Sequence, residues 1–195
     1  MSKLSGKVVL ITGAGKGTGR ALAHAFAARG AIVAANDISP VNVETVVDAI
    51  NTAGGKACAY IHDIAKKVDV QAMVDDVSDD FGRIDVLVNC ANVQPSAGLL
   101  DIDEWDLHRA FEVNAVGTIL MMQSAGRVMR AQGSGTIINV VKIPADAPAS
   151  FIASRAGIAV LTERAAAELE PYGIHVFAAT EAEPVETVLR LVEGA

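Results

Sequence analysis

Aromatic residues make up only 4% of this 195-residue chain, with one tryptophan and two tyrosines. So little ring surface leaves few platforms for base stacking, which argues against a single-stranded nucleic acid ligand. Basic charge is also short: 16 Lys and Arg stand against 23 Asp and Glu, a net charge of −7. With no basic run, neither duplex phosphates nor an anionic membrane surface meets a complementary patch. Two cysteines, Cys58 and Cys90, are too few for a disulfide framework, and His24, His62, His108 and His175 are scattered without metal-ligand spacing. The cysteines read as small buried hydrophobes of a reducing compartment. No run reaches the ~18 apolar residues of a membrane span. The N-terminal MSKLSGKVVLITG meets Gly13 too soon for a signal peptide. These absences predict a soluble cytoplasmic protein, one domain over 1–195, without a nucleic acid or membrane partner.

What the chain has is aliphatic residues, in short β-branched runs that alternate with helical periodicity. Strands are predicted at 8–11, 31–36, 57–61, 84–89, 136–140 and 175–179. The runs are continuously apolar, as strands covered on both faces must be. Helices are predicted at 18–29, 40–53, 66–81, 103–131 and 152–170. Asp101 followed by Glu104 reads as a helix start, and Pro171 with Gly173 as a stop. Strand–helix alternation gives a Rossmann-like α/β fold, a doubly wound parallel sheet of about six strands with helices on both faces. In such a sheet the ligand crevice lies at the carboxyl ends of the strands.

The first strand runs into Thr12-Gly13-Ala14-Gly15-Lys16-Gly17-Thr18-Gly19, and a helix follows directly. Glycines there permit a tight turn and a close approach of backbone to phosphate, and the helix start supplies free N–H groups. Asp37, followed by Ile38, ends the second strand. Its carboxylate suits ribose hydroxyls and repels a 2′-phosphate, which favours NAD(H) over NADP(H). Lys16, beside the loop, pulls the other way.

These residues resemble the short-chain dehydrogenases/reductases, over nearly the whole chain and with an oxoacyl-reductase flavour. The family's Thr-Gly-x-x-x-Gly-x-Gly matches Thr12 to Gly19, and its aspartate near the adenine matches Asp63, followed by Ile64. Its Asn-Asn-Ala-Gly motif appears as Asn89-Cys90-Ala91-Asn92, keeping Asn89 and Ala91 but placing a side chain, Asn92, where glycine stands. Its helix asparagine matches Asn114. The resemblance implies a cofactor cradle formed by Gly13, Gly15, Lys16, Gly17, Thr18, Gly19, Asp37, Ile38, Asp63, Ile64, Asn89, Ala91 and Arg155.

The family's chemistry rests on a Ser-Tyr-Lys set helped by that asparagine. Here the matching positions hold Lys142, Phe151 and Arg155, and only Asn114 is retained. Phe151 carries no hydroxyl and can neither give nor take a proton. Arg155 keeps its charge at any working pH, though it can still bond a ribose. Lys142 either turns to solvent or, if buried beside Arg155, becomes a new acid. Two cations at this end disfavour an oxidised, positive nicotinamide and suit a small anion. A related dehalogenase family also puts arginine in the lysine place, but it keeps the serine and tyrosine and loses the glycine motif, the reverse of this chain.

The sixth-strand motif is altered at Phe177 and lacks its Pro-Gly. A helix-like run from Glu183 follows almost at once, as though the segment covering substrate between 181 and 184 were missing. Two readings follow. One is an NAD(H)-binding protein without conventional hydride transfer, acting as sensor, scaffold or partner subunit. The other is a divergent oxidoreductase acting on an unknown alcohol or ketone. The resemblance further implies a homodimer, or a heteromer with a relative, through the helices at 103–131 and 152–170, with Phe111, Met121 and Met122 as candidate surface residues.

Overall fold

The computed structural model describes residues 3–180 and 184–195. Six strands, β1 Val8–Thr12, β2 Ile32–Asp37, β3 Lys56–Ile61, β4 Val86–Asn89, β5 Gly135–Val140 and β6 Ile174–Ala179, form one sheet in the order β3-β2-β1-β4-β5-β6. Every pairing is parallel. The chain reverses direction across the sheet at β1, which pairs β2 on one edge and β4 on the other. Crossovers supply α1 Gly17–Ala27, α2 Pro40–Thr52, α3 Lys67–Phe81, α4 Glu104–Phe111, α5 Thr118–Gln132 and α6 Ala149–Leu169, and α7 Pro184–Gly194 follows β6.

Alternate residues of each strand serve opposite faces, which is why the runs are apolar throughout. Val9, Ile11, Val33, Val88 and Ile138 pack under Leu22 and Phe26 of α1, Val43 and Ile50 of α2, and Val188 of α7. Val8, Leu10, Leu87 and Ile137 pack on the other side against Val70, Met73 and Val77 of α3 and Met121 and Met129 of α5. Each such fully buried side chain contributes about 1.5–3 kcal/mol relative to exposure.

Below the sheet, at the amino ends, Asp85 ties β1 to β4. Its carboxylate accepts from the Val8 N–H at 2.9 Å, from Lys7 Nζ at 3.0 Å and from both Nε and Nη2 of Arg83. Burial works to raise its pKa, but the hydrogen bonds from Arg83, Val8 and Lys7 prevail and hold it below the ordinary value.

Several boundaries differ from the sequence expectation. The region predicted as one helix over 103–131 is three pieces: α4, a π-helical segment at Glu112–Gly117, and α5. The π segment wraps a wider turn around Asn114, a feature that apolar periodicity does not reveal. The helix start is Asp103, not Asp101: its side chain accepts from the Asp106 N–H at 2.8 Å. Met121 and Met122 are buried, not surface residues, because they face the sheet. The helix expected near the C-terminus is present as α7, packed on α1. The covering segment expected to be missing between 181 and 184 falls on residues outside those described.

Candidate functional site

The carboxyl ends of four strands bring Asn36, Thr12, Asn89 and Asn139 into register across the sheet. Above this row lies a cleft of about 680 Å³. The polar row braces its walls. Thr12 Oγ1 accepts from the N–H groups of Cys90 and Ala91 at 3.1 and 3.2 Å, anchoring the loop after β4 to β1. Asn89 donates to Asn139 at 2.9 Å, and Asn139 donates to Thr162 of α6 at 2.9 Å. The Asn89 amide nitrogen is thus engaged inside the sheet, its buried Oδ1 has no partner, and the residue does not line the cleft.

On the β1–β3 side Gly13, Gly15 and Gly19 leave room for backbone alone. Gly13 has a φ of 67°, and a Cβ on it would stand 2.7 Å from the Ala91 Cα. A Cβ on Gly19 would overlap the Gly13 carbonyl. Gly15 is packed so closely that a Cβ would meet Asn42 Cβ at 2.7 Å and Asp37 Oδ2 at 2.8 Å. Gly17, with a φ of 54°, opens α1, whose first turn has no side-chain cap. Gly13, Lys16, Gly17, Thr18 and Gly19 line the cleft, while Gly15 acts through Asp37. Uncapped N–H groups at a helix start are an anion-binding arrangement.

Asp37 is held from both sides. Its Oδ2 accepts from the Gly15 N–H and its Oδ1 from the Ser39 N–H, each at 3.0 Å. The carboxylate therefore stands fixed on the cleft wall, with Ile38 exposed beside it. Asp63 is held by Arg109 of α4 at 3.1 Å, and Ile64 is buried next to it. Arg109 lines the cleft, and the sequence reading missed it, because a partner 46 residues away leaves no local signal. Asn42, on α2, also lines the cleft, and the sequence reading did not single it out.

The β5–α6 side differs. Lys142 is exposed on the cleft wall, while Phe151 and Arg155 are 2% and 5% exposed at its floor. Arg155 lies over the Phe151 ring, 5.6 Å from its centroid, and Nη2 donates to the Val140 carbonyl. Its Nε has no acceptor. Burial pulls the Arg155 pKa down from its ordinary value, and burial pushes the nearby Cys90 thiol up to about 11 against the pull of that charge. Asn114 is fully buried and does not line the cleft. Its amide clamps the backbone of Val93, accepting at 2.7 Å and donating at 2.8 Å, and also donates to Ser154 at 2.9 Å. Asn92 lines the cleft with its amide folded back on the Cys90 carbonyl. No group of three His, Cys, Asp or Glu able to hold a metal occurs among the described residues. No helix among them is long and apolar enough to cross a membrane.

The cleft fits a dinucleotide: a glycine cradle in which a Cβ at Gly13, Gly15 or Gly19 would clash, an uncapped helix start for phosphates, and a fixed carboxylate at the end of β2. Comparison with known proteins agrees. Residues 7–190 match the family described as short chain dehydrogenase. An uncharacterized oxidoreductase of Thermotoga maritima is 39% identical over 177 residues, 88% of this chain and 69% of the relative. A xylitol dehydrogenase solved with NAD+ bound superposes with a TM-score of 0.87 at 33% identity, over 92% of this chain and 71% of that one. A metagenomic short-chain oxidoreductase solved with NADP gives 0.92 at 29% identity, over 100% and 93%. On its glycine cradle, its parallel sheet and these relatives, the chain belongs to the short-chain dehydrogenase/reductase family.

Proposed function

We propose that this protein binds NAD(H), with NADH favoured over NAD+, and has lost the family's conventional hydride-transfer activity, serving as a sensor, scaffold or partner subunit. The observation that carries this reading is the floor of the cleft. A phenyl ring, Phe151, and a guanidinium, Arg155, occupy the positions that the family fills with its tyrosine and lysine. A nicotinamide dinucleotide supplies hydride transfer when bound. Around it this chain supplies binding and positioning: N–H groups from Gly17 to Gly19 for phosphate, Asp37 for ribose hydroxyls, and Asp63 with Ile64 toward the adenine. A 2′-phosphate is disfavoured because both Asp37 oxygens are fixed by backbone donors, so the carboxylate cannot swing clear without breaking them. The missing acid–base group is worth roughly 10²–10⁴-fold in rate.

The second reading, a divergent oxidoreductase, is favoured by one observation: Lys142 lines the cleft and carries the only side-chain amine on its β5–α6 side. Calorimetric titration with NADH, NAD+ and NADPH tests binding. A panel of ketones and oxoacyl thioesters tests turnover. The unmodified protein is expected to be inactive on it. The triple variant Lys142→Ser, Phe151→Tyr, Arg155→Lys, which rebuilds the set beside Asn114, is expected to stay near background if the segment that covers substrate is also missing, because misplaced reactants forfeit much of the ~7–11 kcal/mol that proximity contributes. Robust turnover by the unmodified protein, abolished in Lys142→Ala, establishes the second reading instead.

We also propose self-association, or pairing with a relative, through α4, α5 and α6. Trp105, Phe111, Ile119, Ile152 and Val160 are exposed apolar side chains along these helices, and Val116 is another on the π segment between α4 and α5. A two-fold pairing would cover them, and scattering at tens of micromolar distinguishes dimer from monomer.

A further inference from the structure

Three charged side chains are buried among the described residues, and two of them are fully matched. Asp37 accepts from two backbone N–H groups, and Asp85 from Arg83, Lys7 and Val8. Arg155 is the exception and the only buried cation. Its single hydrogen bond is from Nη2 to the Val140 carbonyl, its Nε has no acceptor, and no carboxylate pairs with it among the described residues. The nearby thiol of Cys90 stays neutral and does not compensate it. A ring face is the remaining partner. Burying a guanidinium with so little compensation is unfavourable.

Among the described residues the cleft supplies nothing negative at this end. Its two carboxylates, Asp37 and Asp63, follow β2 and β3, and both are engaged, Asp37 by backbone and Asp63 by Arg109. Lys142 adds a second positive charge to this end of the cleft, without an acidic partner among the described residues. We propose that the floor of the cleft is a carboxylate subsite, in which Arg155, supported by Lys142, takes the carboxylate of a small organic acid. Arg155 lines the cleft, and a guanidinium is a planar donor fork that matches the two oxygens of a carboxylate. Phe151 and Val140, which touch Arg155, give the subsite apolar walls, which suit an organic anion better than a strongly hydrated inorganic one. The molecule bound here is thus an anionic acid, not a neutral alcohol or ketone. The subsite rests on these side chains and not on the dinucleotide.

The test is a titration of the ligand-free protein with sodium acetate, followed by the Arg155 Nε–H resonance and the Val141 backbone amide, against sodium chloride at equal ionic strength. Acetate is expected to shift both signals saturably with half-saturation near about 1–10 mM, and chloride to cause only a small linear drift. Lys142→Ala, an exposed change that leaves folding intact, is expected to weaken acetate several-fold. Arg155→Met is expected to abolish the Val141 response. A drift that fails to saturate by about 100 mM, equal responses to acetate and chloride, or an unchanged midpoint in Lys142→Ala overturns the proposal. If Arg155→Met does not fold, the unmodified protein and Lys142→Ala decide. Because no dinucleotide is present, loss of the NAD(H) reading would leave this result untouched, and the reverse holds too.

Discussion

The two halves of the cleft obey different rules. On the β1–β3 side both carboxylates have partners and three glycines answer a packing demand: Gly13 against Ala91, Gly15 against Asp37, Gly19 against the Gly13 carbonyl. On the β5–α6 side a charge is buried with an orphaned Nε, and a phenyl ring stands where a proton donor would be. A binding cradle is over-determined by backbone geometry, so one change breaks it. A catalytic set is a few side chains on a scaffold, and they can be replaced without disturbing the sheet. Family membership therefore speaks firmly about the first half and weakly about the second.

The largest way to break the comparison is at the cradle. Gly19→Ala drives a methyl into the Gly13 carbonyl and is expected to abolish NADH binding and lower stability by about 1–3 kcal/mol. Calorimetry and a thermal melt check both. Asp37→Ala releases the Gly15 and Ser39 N–H groups, and is expected to weaken NADH about 10–100-fold and to erase its advantage over NADPH.

A change at the far end of the sheet separates lost binding from lost folding. Asp85→Asn is expected to cost about 2 kcal/mol at neutral pH with NADH affinity intact. The sign of its pH dependence follows from the depressed pKa of Asp85. Its stabilisation is complete above the unfolded aspartate pKa of about 3.9 and is lost as pH falls through the lower folded value. Denaturant melts should therefore show the gap between the parent and Asp85→Asn closing below about pH 4. The smallest effect is expected from Phe151→Tyr, which restores a hydroxyl at the floor and should leave NADH affinity within about twofold. A tenfold change would mean that the two halves are coupled more closely than their hydrogen bonds show.

The sheet and the cradle were legible because their signals are local. Continuous aliphatic runs mark doubly covered strands, and the strand–glycine–helix order around Thr12 to Gly19 is contiguous. The π segment, the Asp63–Arg109 pair and the Asn114–Val93 clamp were not legible. Each joins residues far apart in the chain, or departs from helical periodicity by a turn too wide for a pattern to show. The lost tyrosine, lysine and serine could be read from the sequence, but the depth at which Arg155 is buried could not. Lys142 and Arg155 look alike on paper, and only packing makes one exposed and the other enclosed.

The position of β1 has a consequence in time. Its five residues, Val8–Thr12, are all buried, and they pair β2 on one edge as soon as the chain has been made as far as Asp37. The other edge must wait for β4 at Val86–Asn89, and so must Lys7 and Val8 for their carboxylate at Asp85. Between the end of β3 at Ile61 and the start of β4 the ribosome adds about 25 residues, a delay of a few seconds at about 5–20 residues per second. Through that interval the nascent chain carries an open apolar strand edge of the kind that recruits other chains. Chaperone engagement during synthesis should accordingly peak before Asp85 emerges and decline once β4 has closed the edge.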